Sequence, residues 1–225
     1  MPLQNRVDPW GQLQAVPERG TLLGNRGILH NDRREIVAPW KTKAWITCRL
    51  AWKGRKRPIM RPRSYTELFF LDEVTAFSAG HRPCAECRRE RFLDFKGAWL
   101  AANPEAIASS APPISAIDSI MHAERVRKGG EKVTSEAELS SLPDGTMVEV
   151  DGAAYLLWEK SLLKWSFAGY TASEGVRSMQ RRVRVLTPAS IVRVFRHGFR
   201  PEVHESTRIR HDRERSLMVS ERSRA

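Results

Sequence analysis

The stretch Gly80-His81-Arg82-Pro83-Cys84-Ala85-Glu86-Cys87-Arg88-Arg89-Glu90-Arg91-Phe92 decides how this chain is interpreted. It joins a Cys-x-x-Cys pair to a helical pattern, in which Phe92, Phe95 and Trp99 recur at i, i+3 and i+7. We predict that the helix begins near Cys84 and ends near Asn103. Two thiolates in one tight turn are a common half of a tetrahedral zinc site. The free backbone N–H groups at a helix start also favour thiolate over thiol.

The chain has one cysteine outside this pair, Cys48, within a predicted strand at residues 44–52. A strand upstream of the pair can bring Cys48 to the same centre as a third ligand. Three interpretations are open: zinc ligation, a thioredoxin-like redox pair, and buried thiols without chemistry. We favour zinc, because the redox motif follows a strand whereas this pair follows residues 80–83. An odd, small number of cysteines also argues against a secreted disulfide framework.

Helix and strand signals alternate along the rest of the chain and predict an α+β fold. Asp72 is placed to cap a short helix that ends before Gly80. Further patterns indicate a strand at 65–70, helices at 115–128 and 188–197, and strands at 146–150, 154–158, 162–167 and 183–186.

These signals suggest four segments. Residues 1–40 form a Gly- and Pro-rich arm of loops and short extended pieces laid over a core. Residues 41–130 form the metal-binding domain, and residues 142–205 form a small β-rich domain. Residues 206–225 form an Arg-rich tail, which we expect to be disordered.

Basic residues outnumber acidic ones by 38 to 26, giving a net charge of +12, which is typical of proteins with an anionic partner. Nine basic residues and no acidic one lie between positions 41 and 63, where we predict a hairpin with a return strand at 58–60. We therefore expect DNA as the partner. The residues predicted to contact its phosphates are Arg55, Lys56, Arg57, Arg61 and Arg63.

The segment from about 44 to 92 resembles the N-terminal metal-binding domain of Ada-type DNA alkylation-repair proteins. The resemblance rests on a short helix ending in Ala79-Gly80, followed by Arg82-Pro83-Cys84-x-x-Cys87-Arg88. It implies a Zn²⁺ ion, a role in DNA repair, and Cys48 as a third ligand. In that family the cysteine matching Cys48 is a zinc-bound thiolate that accepts a methyl group from a DNA phosphotriester.

The match departs from the family at one ligand. Trp52 stands where the family has its second cysteine, and His81 is the nearest replacement as the fourth ligand. His30 and His122 are alternatives. The sequence also lacks a recognisable helix-turn-helix region and the Pro-Cys-His-Arg methyltransferase signature, which excludes a full alkylation-response regulator.

Two other functions remain open at this stage. One is a metal- or thiol-dependent enzyme that uses His122 with the cysteine cluster. The other is a structural zinc module that mediates protein contacts. The sequence contains no apolar run near the roughly 20 residues needed to span a bilayer, and its first ten residues lack the apolar core of a secretory signal. We therefore expect no membrane association and a cytoplasmic location.

Overall fold

The structure, a computed structural model, describes residues 1–54, 58–109, 111–172 and 181–208. Within these residues the chain forms two six-stranded sheets and four α-helices, which confirms the predicted α+β class. The helices are α1 (Glu73–Ser78), α2 (Arg89–Ala102), α3 (Ile114–Arg125) and α4 (Ala189–Arg196). In the part of the chain that the structure describes, no helix is long and apolar enough to cross a bilayer.

The first sheet carries the cysteines. Its strands are, in chain order, β1 (Arg6–Val7), β2 (Leu13–Gln14), β3 (Leu22–Asn25), β4 (Ile46–Arg49), β5 (Leu68–Phe70) and β6 (Arg82–Pro83). Their spatial order is β2-β1-β5-β3-β4-β6. Strand β3 pairs antiparallel with both β4 and β5, whereas β4 pairs parallel with β6. The N-terminal arm therefore supplies three strands to the sheet rather than only covering a core.

The second sheet is antiparallel, and a late strand of the chain is inserted between its first two strands. Its strands are β7 (Ser135–Glu138), β8 (Met147–Val150), β9 (Ala153–Trp158), β10 (Ser161–Ser166), β11 (Gly169–Ala172) and β12 (Arg182–Val185). Their spatial order is β11-β10-β9-β8-β12-β7. The Asp151-Gly152 turn, with φ values of +51° and +77°, joins β8 to β9 as the hairpin signal predicted.

The two sheets and the helices share their hydrophobic interior. Leu71, just after β5, and Val74 of α1 pack with Met147 and Leu156 of the second sheet. A second cluster joins all four helices, and its buried members are Phe77, Phe95, Trp99, Ile117, Met121, Ile191, Val194 and Phe195. Full burial of one such side chain contributes about 1.5–3 kcal/mol. This packing joins α4, which is distant in sequence, to the helix that follows the Cys-x-x-Cys pair.

Three local predictions need correction. Helix α2 begins at Arg89, not near Cys84, because Cys84 and the next four residues form a turn. Residues 58–60 form no strand, since β4 takes β3 and β6 as its two partners. The pair also follows a strand after all, the two-residue β6. Strands β7 and β11 were not predicted.

Candidate metal centre

Parallel pairing of β4 with β6 brings the three cysteines together. In this pairing Thr47 lies opposite Pro83, and the N–H of Cys84 donates to the Thr47 carbonyl at 2.9 Å. Because Cys48 follows Thr47 directly, it lies beside the start of the Cys-x-x-Cys turn. The other edge of β4 is held by β3, where Leu23 pairs with Cys48.

The Cys-x-x-Cys turn presents the remaining two thiols to the same point. The N–H of Glu86 donates to Cys84 Sγ at 3.4 Å, and the N–H of Arg88 donates to the Cys84 carbonyl at 3.2 Å. These bonds close the turn before α2 begins. Cys84 and Cys87 are buried, and Cys48 is half-buried.

The three sulfur atoms lie within 4.8 Å of one another. A zinc–sulfur bond of about 2.3 Å places tetrahedral ligands roughly 3.8 Å apart. The cluster thus has the donor type and spacing to hold a metal ion, as the sequence predicted for these three residues.

Hydrogen bonding within the cluster separates the pKa values of the thiols. The Cys48 thiol donates to Cys84, which together with backbone N–H groups lowers the pKa of Cys84 to about 5, although burial acts in the opposite direction. The same hydrogen bond, followed by burial, raises the pKa of Cys48 far above its ordinary value. Burial raises the pKa of Cys87. Cys84 is therefore the thiolate of the metal-free cluster at neutral pH.

Buried arginines fix the turn on both sides. Arg82, just before Pro83, makes a two-pronged ion pair with Asp118 of α3, at 2.7 and 2.8 Å. Arg88, just after Cys87, donates to Thr47 Oγ1 at 3.0 Å and to Glu73 of α1 at 2.7 Å. The turn is thereby tied to β4, α1 and α3.

The cysteines line one wall of a cavity of about 400 Å³. Trp52, Tyr65 and Glu67 also line it. Glu67 is 4% exposed; its Oε2 accepts from the N–H of Met60 at 2.7 Å, and its Oε1 has no hydrogen-bond partner among the described residues. A metal held by the three thiols would border this cavity, whose volume lies within the range typical of small-molecule sites.

The structure does not bring His81 into the cluster. Its imidazole is fully buried, 4.6 Å from the Phe70 ring and 5.1 Å from the Trp45 ring. Arg26 Nε donates to His81 Nε2 at 3.3 Å, so the ring accepts at that nitrogen. Burial, with the charges of Arg26 and Arg125, holds the pKa of His81 well below its ordinary value.

The other two histidines weighed as ligands also lie outside the cluster. His30 is buried, with Nδ1 2.6 Å from Thr66 Oγ1. His122 packs edge-on against Trp40 at 4.4 Å, and its Nδ1 is 3.1 Å from Arg125 Nη2.

The predicted DNA-contacting residues are only partly described. Arg61 and Arg63 are exposed. Arg55, Lys56 and Arg57 lie outside the described residues, as do residues 209–225 of the predicted tail. The tail's first residues, 206–208, form part of a 3₁₀ turn, in which Ser206 Oγ accepts from the N–H of Tyr170 at 2.8 Å.

Sequence reasoning missed Glu67 as part of the site, because a Glu at the start of a predicted strand carries no distinguishing signal. Trp52 was noted only as the residue at the position of a missing ligand. Comparison with protein-family models, with curated proteins and with solved structures finds no match to this chain.

Proposed function

We propose that Cys48, Cys84 and Cys87 bind one zinc ion and that the protein works in association with DNA. Zinc binding is proposed because the three sulfur atoms lie within 4.8 Å of one another. Thiolates select zinc over harder cations such as magnesium and calcium. A disulfide leaves the third thiol unexplained, whereas a metal uses all three.

The charge distribution supports the proposed association with DNA. The chain carries a net charge of +12, and its nine basic residues between 41 and 63 flank Cys48 in sequence. Arg49 and Trp52 line the cavity at the cysteines, with the Arg49 guanidinium 6.0 Å from the Trp52 ring. A cation beside an aromatic ring is suited to phosphate and base contacts on a nucleic acid. The resemblance to the Ada-type domain points to the same partner.

Salt-dependent binding to a labelled DNA duplex tests this association. Neutralising phosphates releases counterions, so the logarithm of the affinity should fall steeply with the logarithm of the salt concentration. The double reversal Arg61→Glu/Arg63→Glu should weaken binding to all sequences and reduce the salt slope by about two. Reversal of Arg55, Lys56 and Arg57 should act in the same direction.

The matched control is Arg33→Glu/Arg34→Glu, which changes two exposed arginines and the net charge by the same amount. It should change affinity much less. Equal losses from both double variants would mean that only overall charge matters, and binding that ignores salt would contradict the DNA proposal.

The cavity favours a second candidate, a zinc-dependent enzyme. Three protein ligands leave zinc a position for water or substrate, as catalytic sites do. Glu67 lines this cavity, and its Oε1 is buried with no hydrogen-bond partner among the described residues, so it is our candidate for proton exchange there. His122, weighed for this role in the sequence, packs instead against Trp40.

Cobalt substitution separates an open centre from a closed one. In cobalt-loaded protein, an added small anion such as azide should change the visible spectrum if a position faces the cavity. His81→Ala should leave the cobalt spectrum unchanged. A spectrum that ignores azide but changes in His81→Ala would instead support a closed structural site.

A further inference from the structure

A second cavity, of about 500 Å³, lies apart from the cysteines. Its lining includes Arg26 of the segment after β3 and Arg125 at the end of α3, together with Gly11 and Val37. None of the three cysteines lines it. Its volume falls within the range of about 300–1,000 Å³ that is typical of small-molecule sites.

The two arginines are held in an unusual arrangement around Trp45. The Arg26 guanidinium lies 4.0 Å from the Trp45 ring centre and the Arg125 guanidinium lies 4.1 Å from it. Both side chains are at least 98% buried. Arg125 also packs against Gly80, where an added Cβ would lie 2.3 Å from its Cδ. Close packing against other protein atoms therefore fixes the positions of both arginine side chains.

Both guanidinium groups keep a donor without a partner. Arg26 donates from Nε to His81 and from Nη1 to the Gly11 carbonyl at 2.9 Å. Its buried Nη2, and the buried Nε of Arg125, have no hydrogen-bond partner among the described residues. A Cβ built on Gly11 would lie 3.5 Å from Arg26 Nη2, which places this free donor beside the cavity wall.

Positive charge exceeds negative charge around these groups. Lys132, which donates to the Ser78 carbonyl, is a nearby amine whose pKa falls to about 7 through burial and then through the charge of Arg26, so it is only partly charged at neutral pH. The nearby Asp8 carboxylate accepts from the N–H of Gln12 at 2.9 Å. The two arginines that line the cavity thus outnumber the one nearby buried carboxylate.

The other acidic groups close to Arg26 and Arg125 are paired with other residues or exposed. Asp118 is committed to Arg82 through its two-pronged ion pair. Glu131 lines the cavity, but its side chain is 69% exposed and 3.8 Å from Arg127. Buried charge without a counter-charge is unfavourable, so the cluster is suited to receive an anion.

We propose that this cavity binds the phosphate group of a small phosphorylated molecule. A phosphate group supplies the negative charge that the two arginines lack, and guanidinium groups pair well with phosphate oxygens. The apolar lining at Trp10 and Ile36 would cover the organic part of the ligand. The inference is independent of the metal centre, because the two cavities share no lining residue.

Titration calorimetry with inorganic phosphate and with phenyl phosphate, in buffers of matched chloride, tests the proposal on the full chain. Both probes should bind, with phenyl phosphate tighter because its ring covers apolar wall. Arg26→Met should weaken both by more than about tenfold. Cys84→Ser should leave both unchanged, so that failure of the metal centre and failure of this site give different results.

Val37 offers a matched pair of substitutions that leave the buried arginines unchanged. Its side chain lines the cavity and is 62% exposed, so substitutions there should fold. Val37→Glu, which adds a carboxylate, should weaken phosphate binding by about fivefold or more, and Val37→Gln should not. The proposal would be overturned by no binding in the wild type, by equal effects of the two variants, or by succinate binding as tightly as phosphate. Phosphate binding without phenyl phosphate binding would also overturn the assignment to a phosphorylated molecule.

Discussion

Arg82 donates two hydrogen bonds to the Asp118 carboxylate, at 2.7 and 2.8 Å, and both side chains are 5% exposed. The pair joins β6, the strand that leads into the Cys-x-x-Cys turn, to the middle of α3. The two residues lie 36 positions apart in the sequence.

We expect Asp118→Ala to destabilise the protein by about 3 kcal/mol or more, because it leaves the Arg82 guanidinium buried without its counter-charge. Urea unfolding measures this change. Arg182→Ala is the control, since it breaks an exposed ion pair with Glu136 and should cost less than about 1 kcal/mol. Similar costs for the two variants would contradict a structural role for the buried pair.

A second prediction concerns the contact between the second sheet and α1. The Tyr170 hydroxyl of β11 donates to Asp72 Oδ2 at 2.9 Å, at the N-terminus of α1. Tyr170→Phe should lower the free energy of unfolding by about 1–2 kcal/mol, because it removes this buried hydrogen bond. Tyr155→Phe, at a half-buried position in β9, should change stability little. A larger loss from Tyr155→Phe would show that the Tyr170 contact is not the important one.

The third prediction is the order of thiol reactivity in metal-free protein. Since the pKa of Cys84 is lowered to about 5, its thiolate is present above that pH and lost below it. Iodoacetamide should therefore modify Cys84 first, at a rate that rises as the pH passes through about 5. Cys48, whose pKa is raised, should react last at neutral pH.

Peptide mapping by mass spectrometry after short exposures gives this order. Added zinc should slow modification of all three cysteines, because metal binding engages their sulfur atoms. Cys48 reacting first at pH 7, or a rate for Cys84 that rises only above pH 8, would contradict the order of pKa values that the hydrogen bond from Cys48 to Cys84 gives.

Local signals were enough to predict many of the elements. Asp72 caps α1, because its side chain accepts a hydrogen bond from the N–H of Thr75 at 2.8 Å. Gly80 has a φ of +87°, the left-handed conformation that often ends a helix. The three cysteines were also predicted to come together. For the cap and the helix end, a few adjacent residues carry the signal. For the cysteines, the Cys-x-x-Cys motif needs a further ligand, and Cys48 is the one other cysteine in the sequence.

The remaining features depend on contacts between distant segments. His81 was placed near the metal by sequence proximity, but the buried ring is held by Arg26, Trp45 and Phe70. The cationic cluster likewise joins Arg26 to Arg125, which no local pattern relates. Strand β7, Ser135–Glu138, is mostly polar and exposed, so it shows no hydrophobic alternation.

Zinc content is the most direct test of the central claim, that Cys48, Cys84 and Cys87 hold one metal ion. Elemental analysis of the purified wild type should give close to one equivalent of zinc, and Cys48→Ser, Cys84→Ser and Cys87→Ser should each lower it. His81→Ala should retain the wild-type content, since that ring lies outside the cluster. Less than about a tenth of an equivalent in carefully prepared wild type, or full occupancy in all three serine variants, would contradict the account.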